Sequence, residues 1–313
     1  MFARGVRSTK LSVALAREAL AARTETANGW LQGTPPGRTV RRVIDGLIEI
    51  ELVDRSMTLA ARIFTSVLPV MIAASTLSSW NVTARTIKTQ FGFDPTELTS
   101  TSGTVDTTDA SFAAFGVVGL LMIAISGTSF ARALARIYGK IWNVPSINLR
   151  DAWRWLVVLF AVALSGTAIG VASELTSIRF IGPPLAVAGE FAVWMAVWTL
   201  SPYLLTIGTL KGRVLWATGA LTAAALTALH VGGRLVLPRI TAAAQHQFGP
   251  LGLVFTAISW LFVLSVVIVG SAVIVKAIAL DEGYVGHYLR GPDAVASEQA
   301  AETLAQDDGA HHE

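Results

Sequence analysis

The 313-residue chain contains no cysteine and carries few charged residues. The absence of cysteine excludes disulfides, thiolate nucleophiles and cysteine-bound metals as a basis for its fold or activity. Only 14% of the residues are charged, against roughly 25% in ordinary soluble domains. Because 53% of the residues are hydrophobic, the composition predicts a membrane protein whose surface is covered largely by lipid.

Sequence motifs of soluble enzymes are also missing. The chain has no GxxxxGK(S/T) phosphate-binding loop, no HExxH zinc motif and no GxSxG nucleophile turn. Its five histidines are scattered without the spacing of metal ligands. The net charge is +3, but the basic residues form no continuous stripe. We therefore expect no enzymatic activity, no cofactor, no metal and no nucleic acid partner.

Six apolar segments are long enough to form transmembrane helices, which need roughly 20 residues to cross about 30 Å of hydrocarbon. They lie at 58–80, 110–130, 153–173, 184–208, 214–236 and 251–279. The predicted fold is therefore an all-α integral membrane protein, with a six-helix transmembrane domain over residues 58–280. Pro69 in the first segment does not exclude a span, because neighbouring helices can satisfy the freed carbonyl.

The segments on either side of this domain differ in character. Residues 1–57 form an N-terminal segment with an amphipathic helix at 39–55, whose apolar positions recur at helical spacing. These positions are Val40, Val43, Ile44, Leu47 and Ile48. The helix is predicted either to lie flat on the inner membrane surface or to pack on the cytoplasmic ends of the bundle. Residues 281–313 form an acidic tail that is predicted to be disordered.

The distribution of basic residues predicts the orientation of the spans. Sixteen lysine and arginine residues lie before the first span and in alternate connections, whereas five lie in the other connections. The side that is richer in lysine and arginine is cytoplasmic in most membrane proteins. With an even number of spans, both termini are therefore predicted to be cytoplasmic.

Ionisable residues within the predicted spans are candidates for function, because each is costly in lipid. Glu190 lies roughly 9 Å into the fourth span, too deep for its short side chain to reach the surface. His230 and Arg234 share a face of the fifth span at i, i+4 and reach the depth of Glu190. We predict a Glu190–His230–Arg234 polar cluster that lines a cavity open to the outer side. The alternative is that Glu190 bonds a neighbouring Ser or Trp and His230 is satisfied in packing.

Other residues within the spans have structural interpretations. Arg62 lies about 6 Å from the inner boundary of the first span, where its long side chain can reach the headgroups. Gly166 and Gly170 form a GxxxG in the third span, and Gly219 with Ala223 repeats the small-residue spacing in the fifth. Such pairs allow helices to approach closely in membranes.

Four weak motifs follow one another between about residues 40 and 280. Their main residues are Ser66, Pro69, Trp142, Asn143, Pro202, Gly249, Trp260 and Gly270. In order and spacing they resemble the motifs of the YihY/virulence factor BrkB family of bacterial inner-membrane proteins. The strongest is Phe248-Gly249-Pro250-Leu251-Gly252, although the family commonly has a tyrosine in place of Phe248. Ala272 also stands where the family often has a glutamate.

The resemblance implies six spans with both ends in the cytoplasm, in agreement with the charge distribution. Members of the family are sometimes named ribonuclease BN, but this sequence has no motif to support a nuclease. The resemblance suggests a role in envelope integrity. We expect a transporter, flippase or exporter of a lipid-like or small anionic substrate, with membrane lipids as partners. The alternative is a non-transporting scaffold that holds an envelope protein partner; the sequence leaves the oligomeric state open.

Overall fold

The computed structural model describes residues 29–77, 109–144, 151, 153–174, 181–281 and 283–291. The side chains of 67–77, 109–120, 122–124, 126, 163, 173–174 and 250 lie outside this description. All regular structure in the described part is α-helical, which confirms the predicted class for these residues. The helices are α1 (Pro35–Glu49), α2 (Leu52–Leu77), α3 (Asp109–Trp142), α4 (Trp153–Glu174), α5 (Gly182–Leu205), α6 (Gly212–Phe248), α7 (Pro250–Ala279) and α8 (Tyr284–Arg290).

The six long helices pack as a ring. From α2 to α7, each helix packs against the next along the chain, and α7 packs back against α2. Helix α3 also contacts α5 and α7. The two short helices lie at the periphery, with α1 against α7 and α8 against α6 and α7.

Four of the described helices are long and apolar enough to cross a membrane. These stretches are Trp153–Ala172, Gly182–Leu205, Gly212–Phe248 and Leu251–Ala279. They correspond to the third to sixth spans that the sequence predicts. Helix α3 covers the second predicted span, and α2 covers the first as far as Leu77, with residues 78–80 outside the described part. A membrane crossing by these two helices stays a prediction.

Helices α3 and α6 continue beyond the ends predicted for their spans. They end at Trp142 and Phe248, whereas the predicted spans end at 130 and 236. Helix α6 has 37 residues and is therefore about 55 Å long, well over the roughly 30 Å of a hydrocarbon layer. The helices end where the backbone turns left-handed, at Asn143 with φ 52° and Gly249 with φ 60°.

A packed core lies where the second half of α3 meets its neighbours. We define it by the members of one buried cluster that are 1% exposed or less, which are Leu59, Ala131, Leu134, Tyr138, Ile141, Val158, Val269 and Ala272. They come from α2, α3, α4 and α7. The residues of α3 after 130 therefore bury a continuous apolar face, which explains why the helix persists past Arg132 and Arg136.

The flanking segments also differ from their predicted forms. The predicted helix at 39–55 is interrupted, because Glu51 has a φ of 54° and separates α1 from α2. The predicted disordered tail at 281–313 begins with helix α8. Arg213 stacks on the Tyr288 ring at 4.7 Å, and Lys211 Nζ donates to the carbonyl of Arg290 at 2.7 Å. The acidic stretch from 292 onward lies outside the described residues.

Candidate functional site

Glu190 is a buried carboxyl group in the third turn of α5. The helix begins after Ile181 with two prolines in its first turn, which need no partner for the missing N–H at that position. Glu190 is 4% exposed. A buried carboxyl group requires hydrogen-bond partners, because an isolated charge in an apolar region is strongly destabilising.

Two aromatic side chains supply these partners. The Nδ1 atom of His230 on α6 is hydrogen-bonded to Oε1 of Glu190. The indole Nε1–H of Trp194, one turn along α5, donates to the same oxygen at 3.3 Å. The structure therefore brings Glu190 and His230 together, and it also gives Glu190 the tryptophan partner of the alternative interpretation.

The contact between Glu190 and His230 joins an acid and a base in an almost dry site. Their side chains are 5% and 11% exposed. A carboxyl and an imidazole can share one proton, so that the pair is neutral overall whether the proton is on oxygen or nitrogen. Gain or loss of one proton gives the pair a net charge, which is costly in an apolar region. Chemically, the arrangement can hold one proton between a carboxyl oxygen and an imidazole nitrogen.

Arg234 lies one turn further along α6 but is exposed. Within the described part of the chain, no hydrogen bond or ion pair joins it to Glu190 or His230. The structure thus brings together two of the three residues of the predicted cluster. The signal in the sequence was the i, i+4 spacing of His230 and Arg234, which does not determine how far each side chain turns toward α5.

An apolar groove of about 1020 Å³ lies beside the Glu190–His230 pair. We call it the α5–α6 groove; it is lined by residues between 183 and 191 of α5 and between 224 and 232 of α6. Among the described lining residues, Thr227 is the single polar one, and Val187, Phe191 and Val231 are among the apolar ones. Glu190 and His230 are adjacent to lining residues but do not line the groove themselves. Among the described residues, the structure thus shows an apolar groove next to a buried polar pair, and a polar cavity open to the outer side stays a prediction.

Arg62 of α2 has a partner on the neighbouring helix. Its guanidinium contacts the hydroxyl of Ser129 on α3 and lies 3.4 Å from the carbonyl oxygen of the same residue. Ser66, one of the motif residues, donates to the carbonyl of Arg62 at 2.7 Å. Arg62 therefore links α2 to α3 through a charged side chain.

The small residues singled out in the sequence have different surroundings. Gly219 lies against α5, where an added Cβ would overlap Thr199 Oγ1, and Ala223 on the same face is fully buried. Gly166 is buried. An added Cβ on Gly170, in contrast, meets no described atom within 4 Å.

Several motif residues form helix ends and close contacts. Asn143 takes the left-handed conformation after α3, and Val144 N–H bonds the Gly139 carbonyl at 3.0 Å, which is a common helix stop. Gly249 makes the turn between α6 and α7. The Trp260 ring lies 2.5 Å from where a Cβ on Gly233 would stand.

The remaining motif residues lie within helices. Pro202 is buried inside α5, Trp142 ends α3 and Gly270 is buried in α7. Pro69 belongs to α2, but its side chain lies outside the described part.

A second polar contact was not anticipated from the sequence. Oδ1 of Asp281 accepts from the Thr39 hydroxyl and from Arg42, both at 2.9 Å, and these bonds join the end of α7 to α1. The Thr39 hydrogen bond, followed by the Gly283 N–H and Arg42, holds the pKa of Asp281 below its usual range. The residues are about 240 positions apart, so no local pattern could reveal the contact.

No known protein family, curated protein or solved structure matches this chain. The resemblance to the YihY/BrkB family therefore stays a prediction from the sequence. Among the described residues, no group of three or more histidine, aspartate or glutamate side chains could hold a metal ion.

Proposed function

We propose that this chain is a multi-pass protein of the bacterial inner membrane that carries, flips or exports a lipid-like or small anionic substrate. In this proposal α2 to α7 are six spans and both termini are cytoplasmic. The single observation that carries it is the buried Glu190–His230 pair between two helices that are apolar enough to span a membrane.

An acid–base pair at this depth is costly to maintain and is therefore a candidate for function. A structural role alone would be met more cheaply by apolar side chains of similar size. Because the pair changes its net charge when it gains or loses a proton, it can couple substrate movement to protons. The sequence has no phosphate-binding loop, so the energy for uphill transport would come from an ion gradient or from a partner protein.

A lipid-scrambling assay tests the carrier. Purified protein is reconstituted into vesicles that hold a fluorescent phospholipid in both leaflets, and a membrane-impermeant quencher is added outside. We expect quenching well beyond half of the signal for the native chain. Glu190→Gln and His230→Gln should each reduce the quenching toward half of the signal. Glu49→Gln is the matched control, because it removes an exposed carboxylate from α1.

Quenching that stops at half in the native protein contradicts unassisted movement of that lipid. Equal quenching by the native chain and both pair variants would show that lipid movement does not depend on the Glu190–His230 pair. The observation that carries the proposal would then no longer support it. Circular dichroism and size-exclusion chromatography of each variant show whether a lost activity reflects loss of folding.

A scaffold without transport is the second candidate, and the surface of α1 favours it. Val40, Ile44 and Ile48 form an exposed apolar stripe, with Ile48 70% exposed. Such a stripe suits a membrane surface or an envelope protein partner. Replacing all three with serine should abolish envelope integrity in cells if the chain is a scaffold. Glu190→Gln should then have no effect.

A further inference from the structure

We propose that the α5–α6 groove binds an acyl chain of an anionic membrane lipid, whose phosphate contacts Arg234. The inference rests on the proposed placement of these helices in a membrane and names the class of lipid that they would hold. It assigns Arg234 to a binding site that is separate from the Glu190–His230 pair.

The shape and lining of the groove suit a hydrocarbon chain. The lining residues that the structure describes are apolar except for Thr227, and the volume of about 1020 Å³ lies at the upper end of the roughly 300–1,000 Å³ of ligand sites. The nine residues from 224 to 232 extend about 12 Å along α6. This length is close to half of a hydrocarbon layer about 30 Å thick. The groove therefore matches the depth of one leaflet.

The position along α6 places the groove and Arg234 at the depths that such a lipid requires. If the span begins at Gly212, residues 224–232 lie about 18–30 Å along the helix, within the far leaflet. Arg234 lies about 33 Å along, at the level of the headgroups. The chain-binding and charge-binding parts thus follow the order of acyl chain and phosphate in a lipid.

The charge at the end of the groove favours an anionic headgroup. Arg234 follows Val231 of the groove lining by three residues, so the two side chains are neighbours on the helix surface. Arginine remains protonated and binds phosphate through several N–H groups. Glu190, the acidic residue next to the groove lining, is already hydrogen-bonded to His230 and Trp194.

Gly232 provides a way to fill the groove without disturbing the helices. It lines the groove, and an added Cβ meets no described atom within 4 Å. Gly232→Leu should therefore fold and occupy space that the acyl chain would take. Gly170→Leu on α4 is the matched control, because Gly170 is also a helical glycine whose added Cβ would meet no described atom within 4 Å, and it does not line the groove.

Photo-crosslinking with two lipid probes tests the inference. The full chain is reconstituted in phosphatidylcholine vesicles that contain a small fraction of a photoactivatable phosphatidic acid, with a diazirine in its acyl chain. A phosphatidylcholine with the same acyl chain is the second probe. Mass spectrometry of the digested protein then locates the labelled residues.

We expect label to concentrate in residues 183–191 and 224–232, several-fold more with phosphatidic acid than with phosphatidylcholine. Gly232→Leu should lower this labelling several-fold, whereas Gly170→Leu should leave it unchanged. Arg234→Gln should reduce labelling by phosphatidic acid to the level of the zwitterionic probe.

Equal labelling of the groove and of the exposed face of α4, or groove labelling that Gly232→Leu does not change, would overturn the inference. Equal labelling by the two probes would overturn the role of Arg234. Groove labelling without lipid movement in the scrambling assay would contradict the carrier and leave the lipid site standing. Lipid movement without groove labelling would contradict the lipid site and leave the carrier standing.

Discussion

Small apolar residues occur in both the packed core and the α5–α6 groove. They pack closely in the core, whereas they leave space between the helices in the groove. In the core, Ala131 and Ala272 belong to one buried cluster with Leu134 and Tyr138. In the groove, both facing helices contribute small residues, among them Ala188 and Ala228, and space remains between them. Small residues thus give close packing where larger neighbours fill the adjacent space, and a cavity where small residues face each other.

Truncation in the core should have the largest effect on stability. Leu134 is fully buried, so Leu134→Ala leaves a cavity and should lower the free energy of unfolding by about 2–5 kcal/mol. Val231→Ala in the groove removes two methyl groups from a residue that is 41% exposed and should cost less than about 1 kcal/mol. Unfolding by titration with a denaturing detergent measures both. Equal losses would mean that the groove is as tightly packed as the core.

An added side chain should distinguish the α5–α6 contact from the α5–α6 groove. Gly219→Leu forces a Cβ into Thr199 and should cost about 1–3 kcal/mol through overpacking. Gly232→Leu lies on the same helix in open space and should leave the stability nearly unchanged or raise it slightly. The midpoint of thermal unfolding reports both variants. A large loss for Gly232→Leu would contradict the open groove.

The contact between α1 and α7 should depend on pH through Asp281. Because its pKa is lower in the folded chain, the contact contributes fully above roughly pH 4 and is lost as the pH falls through the lowered pKa. Asp281→Asn should loosen α1 by at most about 1 kcal/mol, since the ion pair is partly exposed. Faster hydrogen exchange of the α1 amides at neutral pH measures this change.

The pH dependence of the contact between α1 and α7 is measured with a probe on α1. The chain has no cysteine, so Glu49→Cys can be labelled at one place with an environment-sensitive fluorophore. Acidification should change its signal in the native background and not with Asp281→Asn. Asp45→Asn, which removes an exposed carboxylate on α1, should keep the transition. A transition that persists with Asp281→Asn would assign the pH dependence to another group.

The smallest effect is expected at Gly170. Leucine has a higher helix propensity than glycine, and the added Cβ meets no described atom within 4 Å, so Gly170→Leu should stabilise α4 by no more than about 1 kcal/mol. Thermal unfolding beside Gly219→Leu gives the comparison directly. A loss as large as that of Gly219→Leu would show that the GxxxG of α4 packs against a partner.

The sequence predicted the features that follow from position along a helix. Counting residues placed Glu190 and His230 at one depth, and the structure joins their side chains. Apolar length predicted the four helices from α4 to α7 that could cross a membrane. The alternative interpretation, in which Glu190 bonds a neighbouring Ser or Trp, also agrees with the hydrogen bond from Trp194, which lies at i+4 on the same helix.

Features that depend on tertiary packing could not be predicted in this way. Arg132 and Arg136 mark the end of an apolar run, yet α3 continues because the residues between them are buried against other helices. The exposure of Arg234 depends on how α6 is rotated against α5. The groove itself depends on which small residues face each other across two helices, and spacing within one helix carries no such information.

The packing of α7 against α2 has a consequence for the order of synthesis. Helix α2 meets α3 early, but its other neighbour begins about 170 residues after α2 ends. At about 5–20 residues per second, the ribosome needs on the order of 10–30 s to make that stretch. During this time the side of α2 that packs against α7 in the folded chain has no partner. The face of α2 that α7 covers in the folded chain therefore stays exposed to lipid or to an insertion factor until α7 has been made.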